Sequence, residues 1–292
     1  MMIRERALVF DCDGDELVGI LAVPHAQARF AVVIVVGGPQ YRVGGHRQFV
    51  RLARHMASCG FAVLRFDHRG MGDSSGSPRG FEHISRDIEA GIDAVTAACP
   101  QVRRVVLLGL CDGASAALMY APQDKRVAGI VMLNPWILSS ESFARSQIKH
   151  HYLRRLLQRA FWAKLVRGEV DFVDALRVLA RAGRRPVSNA AAEGNYQDSM
   201  AAALTAFRGD VLLILSGQDP TARSFMDYCT SNVRWRGLVD RSNIESRTLP
   251  QADHTFSTSE LRAELERITV EWLSRTCVSH PAAAITGSIS DI

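Results

Sequence analysis

Leu107-Leu108-Gly109-Leu110-Cys111-Asp112-Gly113-Ala114-Ser115 is preceded by Val105-Val106 and followed by Ala116-Ala117-Leu118-Met119. The apolar run before the turn suits a buried parallel strand, and the small residues after it have good helix propensity. A strand, a Gly-x-Cys-x-Gly turn and a helix in that order read as a nucleophile elbow, with cysteine where serine is usual. The turn is so tight that side chains at Gly109 and Gly113 would strike the neighbouring strand and helix. It also holds Cys111 in a strained backbone conformation that lifts its sulfur into a cleft. The unpaired N–H groups at the helix start carry partial positive charge and favour a thiolate over a thiol. The competing role for Cys111 is a core thiol, since free cysteine is among the most buried residue types. Its partners farther along the chain favour the nucleophile.

Outward from this turn the chain alternates between strand and helix signals. Arg6-Ala-Leu-Val-Phe-Asp11 and Glu16-Leu-Val-Gly-Ile-Leu-Ala-Val-Pro24 flank Asp13-Gly14-Asp15, which predicts a hairpin. Ala31-Val-Val-Ile-Val-Val36 is an uninterrupted β-branched run, as expected of a strand covered on both faces. A helix is expected over Gln48 to Ser58, a strand over Phe61 to Asp67 and a helix from about Phe81 to Ala98. Ala128 to Leu133 is the strand after the elbow helix, and Asp210 to Ser216 and Ile244 to Leu249 are two more. Helices are expected near Ala222–Asn232 and from about Ser259 to Thr276. This repeated alternation implies a mostly parallel sheet with helices on both faces. Between Trp136 and Phe207 the alternation breaks into helical periodicity rich in arginine (Arg145, Arg154, Arg155, Arg159, Arg167, Arg177, Arg181, Arg184, Arg185). An insertion at that point, after a sheet strand, is a natural lid over 136–207. The residues from 277 to 292 read as a disordered tail.

Two further loops complete a candidate site. Asp219 follows one predicted strand and His254 follows the last, so with Cys111 both lie at the carboxyl edge of the sheet. His254 would take the proton from Cys111, or hold an existing thiolate as an ion pair, and later protonate the leaving group, and Asp219 would fix the imidazole tautomer and stabilise its charged form. Taken singly, Asp219 before Pro220 is also a common turn residue, and His254 is also a loop histidine. Asp253 is the runner-up carboxylate. An oxyanion hole needs two backbone N–H groups. One is expected from Asp112; the other must come from the loop after strand 31–36, where Pro39 has none to give. The remaining donors are Gly38 and Gln40, or the Tyr41 hydroxyl in their place. Tyr41 and Trp136 are the expected substrate-binding side chains.

Composition limits the alternatives. The 292 residues are 47% hydrophobic with a formal net charge of +5, enough for a substantial core and only modestly basic. The six cysteines have neither metal-ligand spacing nor a compact disulfide framework, so no metal and no cofactor are expected. No charged-then-apolar leader opens the chain and no apolar run is long enough to span a bilayer, which predicts a cytoplasmic setting. Aromatics are not interleaved with the basic residues, and Gly70-Met71-Gly72 lacks dinucleotide-binding spacing, so no nucleic acid is expected. The arginine-rich stretch suits a solvated helical face. It also suits recruitment of an acidic or carrier-bound acyl substrate, or peripheral contact with anionic lipid. No motif speaks to oligomeric state.

Cys111, Asp219 and His254 together with Gly37-Gly38-Pro39 resemble an α/β-hydrolase over about residues 5–276. The resemblance implies an eight-stranded, mostly parallel sheet with helices on both faces and a helical lid. Asp67-His-Arg-Gly-Met-Gly-Asp-Ser74 resembles the Asp-x-Arg-Gly-x-Gly-x-Ser loop of lipase- and esterase-like members. Gly37-Gly-Pro-Gln-Tyr-Arg-Val-Gly44 with Gly109-Leu-Cys-Asp-Gly113 is similar to hydrolase 1 of the exosortase A system-associated group, which implies a link to exopolysaccharide production and protein sorting. The cysteine nucleophile resembles that of dienelactone hydrolase, and Gly37-Gly38 stands where the family usually has His-Gly. The expected activity is hydrolysis of an ester, thioester or lactone through an acyl-cysteine. Acyl transfer by the same triad is its close variant, and a binding scaffold whose chemistry has lapsed is the alternative from another class.

Overall fold

A hairpin, β1 (Ile3–Cys12) and β2 (Asp15–Pro24), opens the chain and turns through Asp13 and Gly14, both at positive φ. The computed structural model describes residues 3–38, 40–137 and 196–279. After the hairpin come β3 (Phe30–Val35), α1 (Gln48–Ser58), β4 (Ala62–Phe66) and α2 (Ser85–Ala98). Next are β5 (Arg104–Leu110), α3 (Asp112–Tyr120), β6 (Val127–Leu133) and α4 (Tyr196–Ala206). The last elements are β7 (Asp210–Ser216), α5 (Pro220–Ser231), β8 (Ile244–Leu249) and α6 (Ser259–Ser279). The eight strands form one sheet in the order β1-β2-β4-β3-β5-β6-β7-β8. β1–β2 and β2–β4 are antiparallel, and every pairing from β4 to β8 is parallel.

The parallel strands are apolar throughout because both of their faces are covered. Along β3, β5, β6 and β7 alternate residues feed two separate cores. Val33, Leu107, Met132 and Leu213 point to one face, where α2, α3, α4 and α5 supply Ile88, Leu118, Leu204 and Phe225. Val32, Leu108, Val131 and Leu212 point to the other, where α1 and α6 supply Phe49, Met56, Leu265 and Trp272. Full burial of such a side chain is worth about 1.5–3 kcal/mol, so a run apolar on both faces is held at the sheet centre. The carboxyl ends of β3, β5, β6 and β7 therefore form a fixed platform.

Three boundaries differ from the sequence reading. The helix expected from Phe81 is a 3₁₀ turn at Phe81–His83 followed by α2, with Ile84 between them out of helical geometry. At the start of α2, Asp87 is drawn onto Arg69, accepting from its backbone N–H at 2.7 Å and pairing with its guanidinium at 2.9 Å. At the other end, α6 continues to Ser279, so Cys277 lies in a helix and not in a tail. Its apolar stripe carries on through Leu273 and the buried Thr276, and burial pushes the Cys277 thiol up to about 12. Of the insertion over 136–207, α4 packs into the body, with Met200 and Leu204 wholly buried. Residues 138–195, with all nine arginines named above, and residues 280–292 of the expected tail lie outside the described residues, as does Pro39.

Candidate active site

Cys111 stands between β5 and α3 at φ 60° and ψ −127°, in the left-handed half of the map that a side chain rarely enters. The turn is fixed from both sides. Cys111 N–H donates to the Leu133 carbonyl at 2.9 Å, and the Cys111 carbonyl accepts from Trp136 N–H at 3.2 Å. A β-carbon at Gly109 would collide with the backbone of Gly113, and one at Gly113 would collide with the Val35 carbonyl of β3. The predicted collisions are those of the structure. The strand-to-helix turn closes this tightly only with glycine on both sides of the cysteine.

Asp219 and His254 meet across the next two loops. His254 Nδ1 lies 2.7 Å from Asp219 Oδ2, which turns Nε2 toward Cys111, and the Cys111 side chain is a hydrogen-bond partner of His254. Burial alone opposes a charged imidazole, yet the Asp219 carboxylate and then the Cys111 sulfur outweigh it and hold His254 well above its ordinary range. Asp219 is 3% exposed. Burial pushes its carboxyl up, but the bonds from His254 and from the N–H groups of Thr221 and Ala222 bring it below the usual carboxylate range. It also caps α5, with Oδ1 accepting from Thr221 N–H at 3.0 Å. The turn role and the partner role of Asp219 are both realised, one oxygen for each. The runner-up Asp253 faces away, accepting from the Ser257 N–H at 2.9 Å and hydroxyl at 2.5 Å.

The loop after β3 departs from expectation. Gly38 N–H donates to Asp112 Oδ2 at 2.9 Å. Gln40 N–H donates to the Gly38 carbonyl at 2.8 Å, and the Tyr41 hydroxyl donates to Asp73 at 2.8 Å. All three expected second donors of the oxyanion hole are thus committed within the protein. Tyr41, offered above as a substrate contact, stacks on the Arg42 guanidinium at 4.3 Å. Arg42 in turn pairs with the fully buried Asp67 and with Asp73. Asp67 also accepts from the N–H groups of Arg42 at 2.6 Å and Asp73 at 3.1 Å. The charged glycine-rich turn Asp67–Ser74 is therefore the clamp that shapes the 37–42 loop.

Three residues join the site that the sequence reading passed over. Asn134, directly after β6 and wholly buried at φ 44°, donates to the His254 carbonyl at 3.1 Å and the Ser216 hydroxyl at 2.8 Å. It accepts from Ser216 N–H at 2.8 Å, and so latches the histidine loop to β7. Tyr196, at the start of α4, is hydrogen-bonded to the Trp136 side chain and lies close enough to Cys111 to feel its charge, while burial pushes its phenol up. Trp136 itself is held at the elbow, its carbonyl accepting from the Ser115 hydroxyl at 2.6 Å. His68, 5% exposed, is pushed down by burial against the pull of Asp87, and Asp112 also faces it.

Comparison with known proteins follows from this geometry. Residues 27–187, more than half of the chain, match the family model of Hydrolase_4, described as serine aminopeptidase, S33. A polyketide transferase of Penicillium, grgF, is 35% identical over 100 residues, which cover 33% of this chain and 34% of that protein. The chain thus spans about a third of that relative's length. Among solved structures, the esterase Pf2001 of Pyrococcus furiosus superposes with a TM-score of 0.66 at 17% identity, covering 94% of this chain and 93% of that one. A dienelactone hydrolase from Anabaena variabilis superposes at 0.59 and 15% identity, covering 94% and 98%. Both likenesses are of fold. Among the described residues no helix is long and apolar enough to cross a membrane.

Proposed function

The chain belongs to the Hydrolase_4 family of α/β-hydrolases (serine aminopeptidase, S33), and from that premise we propose that it cleaves an ester, thioester or lactone through an acyl-cysteine on Cys111. The observation that carries the reading is the convergence of Cys111 and the buried Asp219 on His254, whose Nδ1 lies 2.7 Å from the carboxylate and whose charged form both groups favour. Cysteine stands in place of the serine after which the family is described, beside a histidine and a carboxylate that suit either nucleophile.

The chemistry runs as two displacements. The Cys111 sulfur, a thiolate paired with the charged His254, bonds to the carbonyl carbon, and the carbonyl pair moves onto oxygen. The backbone N–H of Asp112, the residue after the nucleophile, would face that oxygen. Collapse expels the alcohol or thiol, which takes the proton from His254 and leaves an acyl-thioester. Water then attacks the acyl carbon and gives a proton to His254, and Cys111 departs as the thiolate, which restores the ion pair. Asp219 holds the ring in the tautomer with Nε2 free and stabilises its charged form in both steps. The substrate is a small acyl compound, and the arginine-rich composition of 138–195 supports one that is acidic or carrier-bound. The resemblance of Gly37–Gly44 and Gly109–Gly113 to the exosortase A-associated hydrolases supports a setting in exopolysaccharide metabolism.

A second reading, acyl transfer to an alcohol in place of water, is favoured by the relative described as a polyketide transferase. Time courses with p-nitrophenyl acetate and butyrate and with acyl-CoA thioesters separate the two. Wild type is expected to turn over and Cys111→Ala to be silent. A single burst followed by arrest points to the transferase, with the acyl group waiting on sulfur. Activity that persists in Cys111→Ala removes the nucleophile, and complete silence of wild type leaves a binding scaffold.

A further inference from the structure

Asp112 has a backbone role in the reading above, but its side chain occupies a place of its own. The carboxylate is cradled by backbone N–H groups: Oδ2 accepts from Gly38 at 2.9 Å and Oδ1 from Gly113 at 3.0 Å, and its own N–H joins them. Such a ring of amides at a helix start is an anion site. The loop runs close against it: a β-carbon at Gly37 would collide with Asp112 Oδ1 and with the backbone of Gly113 and Leu110, and Gly38 stands at φ 57°.

The same amides are the ones a developing oxyanion needs. Asp112 N–H follows the nucleophile, and Gly38 N–H is the nearest donor before Pro39, with Gln40 N–H and the Tyr41 hydroxyl bonded elsewhere. We propose that the Asp112 carboxylate is a built-in occupant of the oxyanion site, which the substrate's carbonyl oxygen displaces from Gly38 N–H before Cys111 is acylated. The proposal rests on the acyl-cysteine reading and adds a step to it. A neighbour exists for the displaced group. His68 is buried beside Asp112, and its Nδ1 has no hydrogen-bond partner among the described residues. Resting enzyme is then self-capped, and the substrates that open it are those whose carbonyl oxygen competes with a carboxylate for one amide.

The test compares two reactions of Cys111 in wild type, Asp112→Ala and Asp112→Asn, all of which keep the backbone N–H. Acylation by p-nitrophenyl acetate, read from the burst, passes through an oxyanion. Alkylation by iodoacetamide displaces iodide at a saturated carbon, forms no oxyanion and reports the reactivity of the sulfur alone. The ratio of acylation to alkylation rate is expected to rise about tenfold or more in Asp112→Ala, since one oxyanion donor is worth about 10²–10³ in rate. Asp112→Asn, which still accepts from Gly38 without the charge, is expected between the two. A ratio that stays level or falls in Asp112→Ala overturns the proposal and leaves the carboxylate as a brace for the loop. A second measurement needs no Asp112 variant. With ¹⁵N-glycine labelling, the Gly38 amide signal is expected to move when a trifluoromethyl ketone adds to Cys111, and an unmoved Gly38 signal in the adduct also overturns it. Ester turnover that survives in Cys111→Ala removes the underlying nucleophile reading, and is seen independently of the ratio.

Discussion

The two oxygens of Asp219 do different jobs, and substitution can separate them. Oδ1 caps α5 and Oδ2 holds His254. Asn is as good a cap as Asp, so Asp219→Asn is expected to keep the cap of α5 while losing the share of stability that the His254 pair contributes and about 10³–10⁴ in kcat, as a triad does when its imidazole is left in the wrong tautomer. Asp219→Ala loses the same activity and a further ~1 kcal/mol of stability. NMR titration of His254 gives the matching readout. In wild type the ring stays charged through neutral pH, because its folded value lies above that of free imidazole, at about 10. Its contribution to stability is therefore complete below the imidazole's unfolded value near 6.5 and is lost as pH rises through the folded one. In Asp219→Asn burial prevails and the ring titrates at or below the ordinary range. A His254 titration unmoved by Asp219→Asn would remove Asp219 as its partner. At this scale the sequence is informative where chemistry follows local spacing: Cys111 between its glycines, and Asp219 and His254 each just past a strand. It is silent on the Asp112 carboxylate, whose partner Gly38 is 74 residues away.

Elements hold these residues through the turns and loops that leave β3, β4, β5, β6, β7 and β8. The clearest brace is Asn134, whose amide spans the end of β6, the end of β7 and the histidine loop. Asn134→Ala leaves the buried Ser216 N–H and the His254 carbonyl without their partner, a loss of about 1–3 kcal/mol. Chemical denaturation is expected to show that loss, together with a fall in kcat at little changed KM, because the residue sets the position of His254 and touches no substrate. A loss below ~0.5 kcal/mol would mean that the strand ends hold without it. Nothing in the sequence marks Asn134, since its bonds are made to residues far along the chain. The bounds of α1 were legible to the residue, because an apolar stripe and the Ser58-Cys59-Gly60 stop are local signals. The start of α2 was not, because Asp87 is drawn onto Arg69 in a contact that no periodicity records. Likewise Asp67-His-Arg-Gly-Met-Gly-Asp-Ser74 was legible as a motif, while its use as a clamp on Arg42 required the fold.

Across the whole molecule, the β–α alternation and the apolar runs of β3, β5, β6 and β7 were enough to predict a mostly parallel sheet covered on both faces. The strand order is less local, since β4 inserts between β2 and β3 by a crossover. The site is the least local feature of all. Asn134 reaches His254 across 120 residues, Gly38 reaches Asp112 across 74, and His254 reaches Asp219 across 35. Contacts of long sequence separation cost loop entropy before they return any stability, so they form late. Refolding followed by far-UV circular dichroism is expected to recover helix and sheet signal ahead of the ability to form an acyl-enzyme in a stopped-flow double jump. Coincident recovery of both signals would show that the carboxyl edge of the sheet assembles with the first structure. The elbow adds a further consequence. Cys111 can hold its left-handed backbone only once β3 is seated against Gly113 and β6 has taken the Cys111 N–H. Partly folded chains therefore carry an unarmed cysteine, and the burst amplitude is a census of molecules that have reached the native state.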